Sequence, residues 1–213
     1  MSQPSFQQYL SQIASRLRHD LKGGLITLKM GLESLDDAES LKPLLMEKTQ
    51  EMVELSDKLI LILRMGELNP QSVGPASLFQ HAARQISDLF PKLDTQVELG
   101  EGLGRWTVDP DAVNYALLEL AQNATLAGAG SAKIRVSEFP NKGVVHFVDD
   151  GGGFPEDRTI DELMILGQSG WSRSGLGLSV VESCLTQHGG QLAIDRDSSG
   201  HTSIEMIFPL EDS

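Results

Sequence analysis

The chain has a single cysteine, Cys184, among 213 residues. An internal disulfide is therefore excluded, and the apolar helical context "SVVESCLTQH" makes this thiol a small core hydrophobe. Positive charge is also scarce: 17 Lys and Arg face 30 Asp and Glu, for a formal net charge of −13. A field of that sign repels nucleic acid and anionic membrane, so neither is expected as a partner. It does not exclude an acidic small ligand held locally together with Mg²⁺. The longest strongly apolar run, "LILIL" at 59–63, is far too short to span a bilayer, and no membrane insertion is expected. "MSQPSFQQYL" lacks a basic region followed by an apolar stretch, so no signal peptide is expected and the expected location is cytoplasmic. His81, His146, His188 and His201 are scattered without metal-ligand spacing and are assigned no chemistry. Internal repeats and low-complexity segments are missing too.

What is present divides into two textures. Apolar residues recur at Phe6, Leu10, Ile13, Leu17, Leu21, Leu25, Leu28, Leu32 and Leu35, in steps of three and four. That spacing predicts a long amphipathic helix, broken at "DDAES". Pro43 suits a first helical turn. A second stripe follows at Leu45, Thr49, Met52, Ser56, Leu59 and Leu63. Two such helices make an antiparallel hairpin, and one hairpin cannot cover two wide apolar stripes. A homodimer that pairs two hairpins into a four-helix bundle is expected. "GELNPQSVGP", rich in Gly, Pro and Asn, reads as a linker.

Beyond it, "ASLFQHAARQISDLF" and "DAVNYALLELAQNATLAG" read as helices. "AKIRVSEF", "GVVHFVDD", "GQLAIDRD" and "HTSIEMIFPL" read as strands, and "GLGLSVVESCLTQHGG" as a helix stopped at Gly189-Gly190. The expected fold class is α+β: the helical hairpin, then a two-layer α/β sandwich. The expected divisions are 1–66, a linker at 67–75, and 76–213.

Three stretches carry chemistry. In "VDDGGGFP" a strand runs into two aspartates and three glycines; this is either a polar turn or a loop where backbone approaches a flat ligand beside an accepting carboxylate. In "SRSGLGLSVV" glycines alternate with leucines at a helix entry, as a hinge or as a phosphate-binding N-terminus. In "LLELAQNATLAG", Glu119 and Asn123 lie four apart and share a helix face, either as a wet side or with an amide oxygen able to ligate Mg²⁺. A fourth, "SRLRHDLKGGL", has His19 two residues from both Leu17 and Leu21 and so off the apolar stripe. Asp20 beside it can accept an imidazole N–H and leave the other nitrogen nucleophilic.

In this order and in these contexts, the stretches resemble the ATP-binding domain shared by sensor histidine kinases, the MutL and gyrase ATPases and the Hsp90 chaperones. "LELAQNA" is similar to that family's N-box, "DDGGG" to its first glycine box and "SGLGLSVV" to its second, over about residues 76–211. "RHDLKGGL" resembles the H-box of histidine kinases, and "MVELSDKLILILRMGEL" the end of their second dimerisation helix. The resemblance implies a dimerisation and phosphotransfer hairpin followed by a catalytic ATP-binding domain. It implies that ATP phosphorylates His19, with Asp20 as orienting group or base, and that the phosphoryl group then passes to an aspartate of a response regulator receiver domain. Asp149 would accept from the adenine amino group, with Gly151 and Gly153 shaping the pocket and Thr202 assisting. Asn123 would hold Mg²⁺, and Gly175, Leu176 and Gly177 would anchor the lid. A separate sensor protein could supply the signal, or the chain could be the core of a longer one.

Several positions depart from the family pattern. Glu119 stands where the kinases often carry Asn; a glutamate there activates water in the ATPase relatives. Leu126 replaces a basic residue, and Arg173 stands where the second glycine box usually opens with glycine, a candidate replacement for the missing charge. In the H-box, Gly24 replaces proline. Gly23 occupies the position where kinases that also dephosphorylate their regulator often carry Thr or Asn, which implies weak phosphatase activity. Two other readings stay open: a phosphotransfer protein with a degenerate ATP site, phosphorylated by another kinase, and a dimeric scaffold or an ATPase without a histidine substrate.

Overall fold

The computed structural model describes residues 23–30, 42–53, 56, 68–153, 177–196 and 202–210. Residues 23–30 and 42–53 are helical, where the two apolar stripes predict helices. Leu28, Leu45, Met52 and Ser56 are half-buried. A Cβ built on Gly24 would stand 2.8 Å from Cγ and Sδ of Met52. Gly24 is thus a point of close helix–helix contact, a packing reason for glycine in place of the family's proline. Leu25, Ile26, Met30, Leu44, Met46 and Val53 remain exposed on these helices.

The rest is two layers. A five-stranded sheet has the order β2-β4-β5-β7-β6, with β2 (Asp94–Leu99), β4 (Ser131–Phe139), β5 (Lys142–Asp149), β6 (Gln191–Arg196) and β7 (Thr202–Pro209). β2 runs parallel to β4 and every other pairing is antiparallel. Three helices cover one face: α1 (Pro75–Leu89), α2 (Pro110–Leu126) and α3 (Gly177–Gln187). Strand alternation explains the layering. Ala132, Ile134 and Val136 of β4, Val145 and Phe147 of β5, and Ile204, Met206 and Phe208 of β7 face the helices. Lys133, Arg135, His146 and Glu205 alternate with them on the open face, paired as Lys133–Glu98, Arg135–Glu98 and His146–Glu205.

Part of the segment read as a linker is ordered. β1 (Gln71–Val73) pairs antiparallel with β3 (Trp106–Val108). Arg105 holds Ser72 through its hydroxyl and its carbonyl. Behind β3, Trp106 is fully buried, edge-on to Phe79 and donating its indole N–H to Glu138 at 2.8 Å. Its ring lies across Gly143, where an added Cβ would sit 2.5 Å from the indole.

α2 opens on strong capping. The Asp109 carboxylate accepts from the backbone N–H of Asp111 and Ala112, each at 3.0 Å, and Pro110 follows in the first turn. α3 ends as its sequence predicts. Gly190 N–H donates to the Leu185 carbonyl and Gly189 adopts φ +71°.

Candidate functional site

α2 is the hub. Glu119 and Asn123 emerge one turn apart on its half-buried side, as their spacing predicts. The first residue of α3 meets both: a Cβ on Gly177 would lie 3.0 Å from the Glu119 carboxylate and 3.2 Å from the Asn123 amide. The second glycine motif therefore delivers a bare backbone, at a helix N-terminus, against the side chains of the Asn motif. Such an N-terminus presents unpaired N–H groups and the positive end of the helix dipole.

The first glycine motif docks at the C-terminal end of α2, one turn beyond Asn123. Gly152 N–H donates to the Ala127 carbonyl at 3.0 Å. A Cβ on Gly151 would come 2.8 Å from Asp149 Oδ1 and 3.0 Å from the Ala127 methyl. Gly153 is buried with φ +67°, a conformation that disfavours any side chain. Glycine is needed at Gly151 because the loop is pressed against α2, and at Gly153 because of its positive φ.

The two aspartates that end β5 do different work. Asp150 is exposed, and its carboxylate accepts from Gly130 N–H, Ser131 N–H and the Ser131 hydroxyl at 2.8 to 2.9 Å. These bonds, led by that from the Ser131 backbone, hold its pKa below the usual carboxylate range. Asp150 thus clamps the end of β5 to the start of β4. Asp149 continues the inward alternation of Val145 and Phe147 toward the helices, half-buried, with Oδ1 receiving Gly151 N–H at 3.0 Å. It is the aspartate turned to the helix side, where Glu119, Asn123 and Gly177 stand.

Thr202 begins β7, one step from the Val148–Ser203 pair, which brings it to the end of β5 that bears Asp149. His19, Asp20, Arg173, Gly175 and Leu176 lie outside the described residues. Among the described residues no cluster of His, Cys, Asp or Glu could hold a metal by itself. A cation at Asn123 would take one amide oxygen from the protein, a donor set that suits Mg²⁺ shared with phosphates.

A residue without a sequence signal joins the opposite end of α3 to the start of α2. His188 Nε2 accepts from Asp109 N–H at 2.9 Å and its Nδ1 lies 2.6 Å from the Cys184 carbonyl. Burial lowers its pKa. The "HGG" that closes α3 reads in sequence as a helix stop and says nothing of a contact 79 residues away.

Comparison with known proteins agrees with this geometry. Residues 108–212 match the family described as histidine kinase-, DNA gyrase B- and HSP90-like ATPase. The sensory histidine kinase/phosphatase NtrB of Klebsiella oxytoca is 29% identical over 231 residues, covering 95% of this chain and 64% of that protein. The sensor histidine kinase GtrS of Pseudomonas aeruginosa is 26% identical, covering 93% of this chain and 41% of that protein. The chain thus spans less than two thirds of the length of these curated relatives. Among solved structures, the histidine kinase ThkA in complex with the response regulator TrrA superposes with TM-score 0.73 at 18% identity, covering 97% of this chain and 64% of that one. The histidine kinase AdeS of Acinetobacter baumannii gives 0.69 at 17% identity, covering 91% and 98%. Residues 108–212 thus match the histidine kinase-, DNA gyrase B- and HSP90-like ATPase family, and the chain as a whole is similar to the catalytic cores of sensor histidine kinases.

Proposed function

We propose that the chain is an ATP-dependent protein-histidine kinase of a two-component system, phosphorylating His19 and passing the phosphoryl group to an aspartate of a response regulator. The observation that carries this is the meeting of Gly177 with Glu119 and Asn123 on α2, with Asp149 on the inward face of β5 and its glycine loop docked on the same helix. In this reading Asp149 accepts the adenine amino group, with Thr202 assisting. Gly151 and Gly153 let the loop close on the ring. Asn123 offers its amide oxygen to Mg²⁺, which when bound neutralises phosphate charge. Gly175, Leu176 and Gly177 present backbone N–H groups to the phosphates, and Arg173 supplies the cation that Leu126 does not. Asp20 orients His19 for in-line attack on the γ-phosphorus, so catalysis rests on positioning and charge neutralisation.

The exposed Leu25, Ile26, Met30, Leu44, Met46 and Val53 support a homodimer whose hairpins pair as a four-helix bundle. A response regulator as partner is supported by the likeness to ThkA, solved with TrrA. No helix among the described residues is long and apolar enough to cross a membrane, which fits the cytoplasmic location proposed here and a signal received from another protein or another segment.

Incubation with γ-labelled ATP and Mg²⁺ tests the proposal. Acid-labile label is expected on the chain, lost in His19→Gln and kept in His81→Gln, which alters an exposed histidine on α1. An unlabelled chain that also fails to bind ATP would move the assignment to a phosphotransfer protein served by another kinase.

A further inference from the structure

α2 and α3 pack side by side and run in opposite directions. At one end Gly177 touches Glu119 and Asn123. At the other, just past the last turn of α3, His188 meets Asp109 at the N-cap of α2. Their relative register is therefore pinned at two points.

The chemistry at the second point is fully specified. A backbone N–H can only donate, so His188 Nε2, 2.9 Å from Asp109 N, must be the bare nitrogen. A carbonyl can only accept, so Nδ1, 2.6 Å from the Cys184 oxygen, must carry the proton. The ring stands edge-on to Phe208 with centroids 5.6 Å apart, which fixes its plane. Neutral His188 thus has one allowed tautomer and no free nitrogen. Asp109 is equally committed: Oδ1 caps α2, and Oδ2 accepts from Asn69 N–H at 2.8 Å. Asn69 lies just before β1, in the segment that leads in from the hairpin.

We propose that His188 is a positioning residue: through Asp109 it fixes where α3, and with it Gly177, stands along the nucleotide helix α2, and ties that register to the segment entering from the hairpin. A bond at the far end of α3 thereby sets the gap between Gly177 and Asn123, in which phosphates and Mg²⁺ would be held. The entering segment and the end of α3 thus meet at one residue, Asp109. This inference rests on the nucleotide-binding reading of the site.

The test measures affinity of the full chain for ATP with Mg²⁺, well below the unfolding temperature. His188→Leu keeps an apolar body against Phe208 and leaves Asp109 N–H without an acceptor. His188→Gln returns an oxygen near the position of Nε2. We expect His188→Leu to bind ATP about tenfold more weakly, the scale of one buried donor left unpaired, and His188→Gln to recover most of the loss. A lower melting temperature in His188→Leu follows from either a positioning or a merely structural role, so affinity decides between them. Equal affinity in wild type and His188→Leu overturns the inference and leaves the kinase assignment standing. A wild-type chain that does not bind ATP overturns the nucleotide reading itself, and this inference with it. If His188→Leu does not fold, His188→Gln is compared with His188→Asn, whose shorter amide cannot reach Asp109. Tighter ATP binding by the Gln variant supports the inference, and equal binding by the two overturns it.

Discussion

A methyl group added to Gly177 would stand 3.0 Å from the carboxylate of Glu119 and 3.2 Å from the amide of Asn123. These neighbours are ends of flexible side chains, so Gly177→Ala is expected to fold and to displace them. Pushing such a side chain off its preferred rotamer costs about 1 kcal/mol, or roughly fivefold in affinity. Titration with ATP and Mg²⁺ should detect that loss while the melting temperature changes little. Unchanged affinity would remove Asn123 and Gly177 from the nucleotide site.

Glu119 can be separated from Asn123 by chemistry. Glu119→Gln keeps the shape beside Gly177 and removes the carboxylate that could activate water. If Glu119 supports hydrolysis, phosphate release without transfer should fall while label on His19 persists or rises. If it fills the place of the family's Asn, phosphate release and labelling should change together. Parallel measurement of free phosphate and acid-labile protein label distinguishes the two.

The larger elements were legible because their periodicity is long. α1, α2, α3 and β4 to β7 stand where "ASLFQHAARQISDLF", "DAVNYALLELAQNATLAG" and the alternating segments predict them. The shared face of Glu119 and Asn123 follows from helical spacing alone. The short strands were not legible. β1 and β3 have three residues each, too few to show alternation, and β2 is an edge strand whose "DTQVEL" leaves only Val97 packed on the core. The different duties of Asp149 and Asp150 depend on which face of β5 each occupies and on a turn at Gly130 from elsewhere in the chain. The role of His188 is not legible for the same reason: its partner is non-local, and a histidine before two glycines looks like a helix end.

Gly143 reports on the frame without touching the site. The fully buried indole of Trp106 occupies the space of its missing side chain, 2.5 Å from a built Cβ. Gly143→Ala is expected to cost roughly 1–3 kcal/mol, the range for overpacking a dense core. Denaturant unfolding measures this directly. A change below about 0.5 kcal/mol would mean that the Trp106 contact yields easily.

His188 gives the structure a pH dependence of definite sign. Burial is the main cause of its lowered pKa, while its bond to Cys184 and the charge of Asp109 oppose the shift. From the elements around it, the facing titratable groups are Asp109 at the start of α2 and Cys184 on α3, whereas β7 contributes the apolar ring of Phe208. The neutral form is the one that folds, so its contribution is fully present above the ordinary histidine value of about 6.5. It declines as pH falls from there through the lower folded value. The wild-type melting temperature should therefore drop more steeply than that of His188→Gln on moving from about pH 7 to pH 5. Parallel slopes would show that His188 does not titrate in this window.

Gly23 allows a different activity to be tested. It is exposed, and a Cβ built there meets nothing within 4 Å. It lies four residues after His19, the spacing that puts two side chains on one helix face. A glycine there has no group to orient water toward an aspartyl phosphate on a docked regulator, so wild-type protein should dephosphorylate its phospho-regulator slowly. Gly23→Asn has room for its amide and costs the helix nothing, because asparagine is the better helix former of the two. We expect Gly23→Asn to speed loss of label from phospho-regulator by about tenfold or more, within the usual contribution of one positioned polar group, while autophosphorylation of His19 is kept. A fast rate in the wild-type protein would assign the water-orienting role to another side chain.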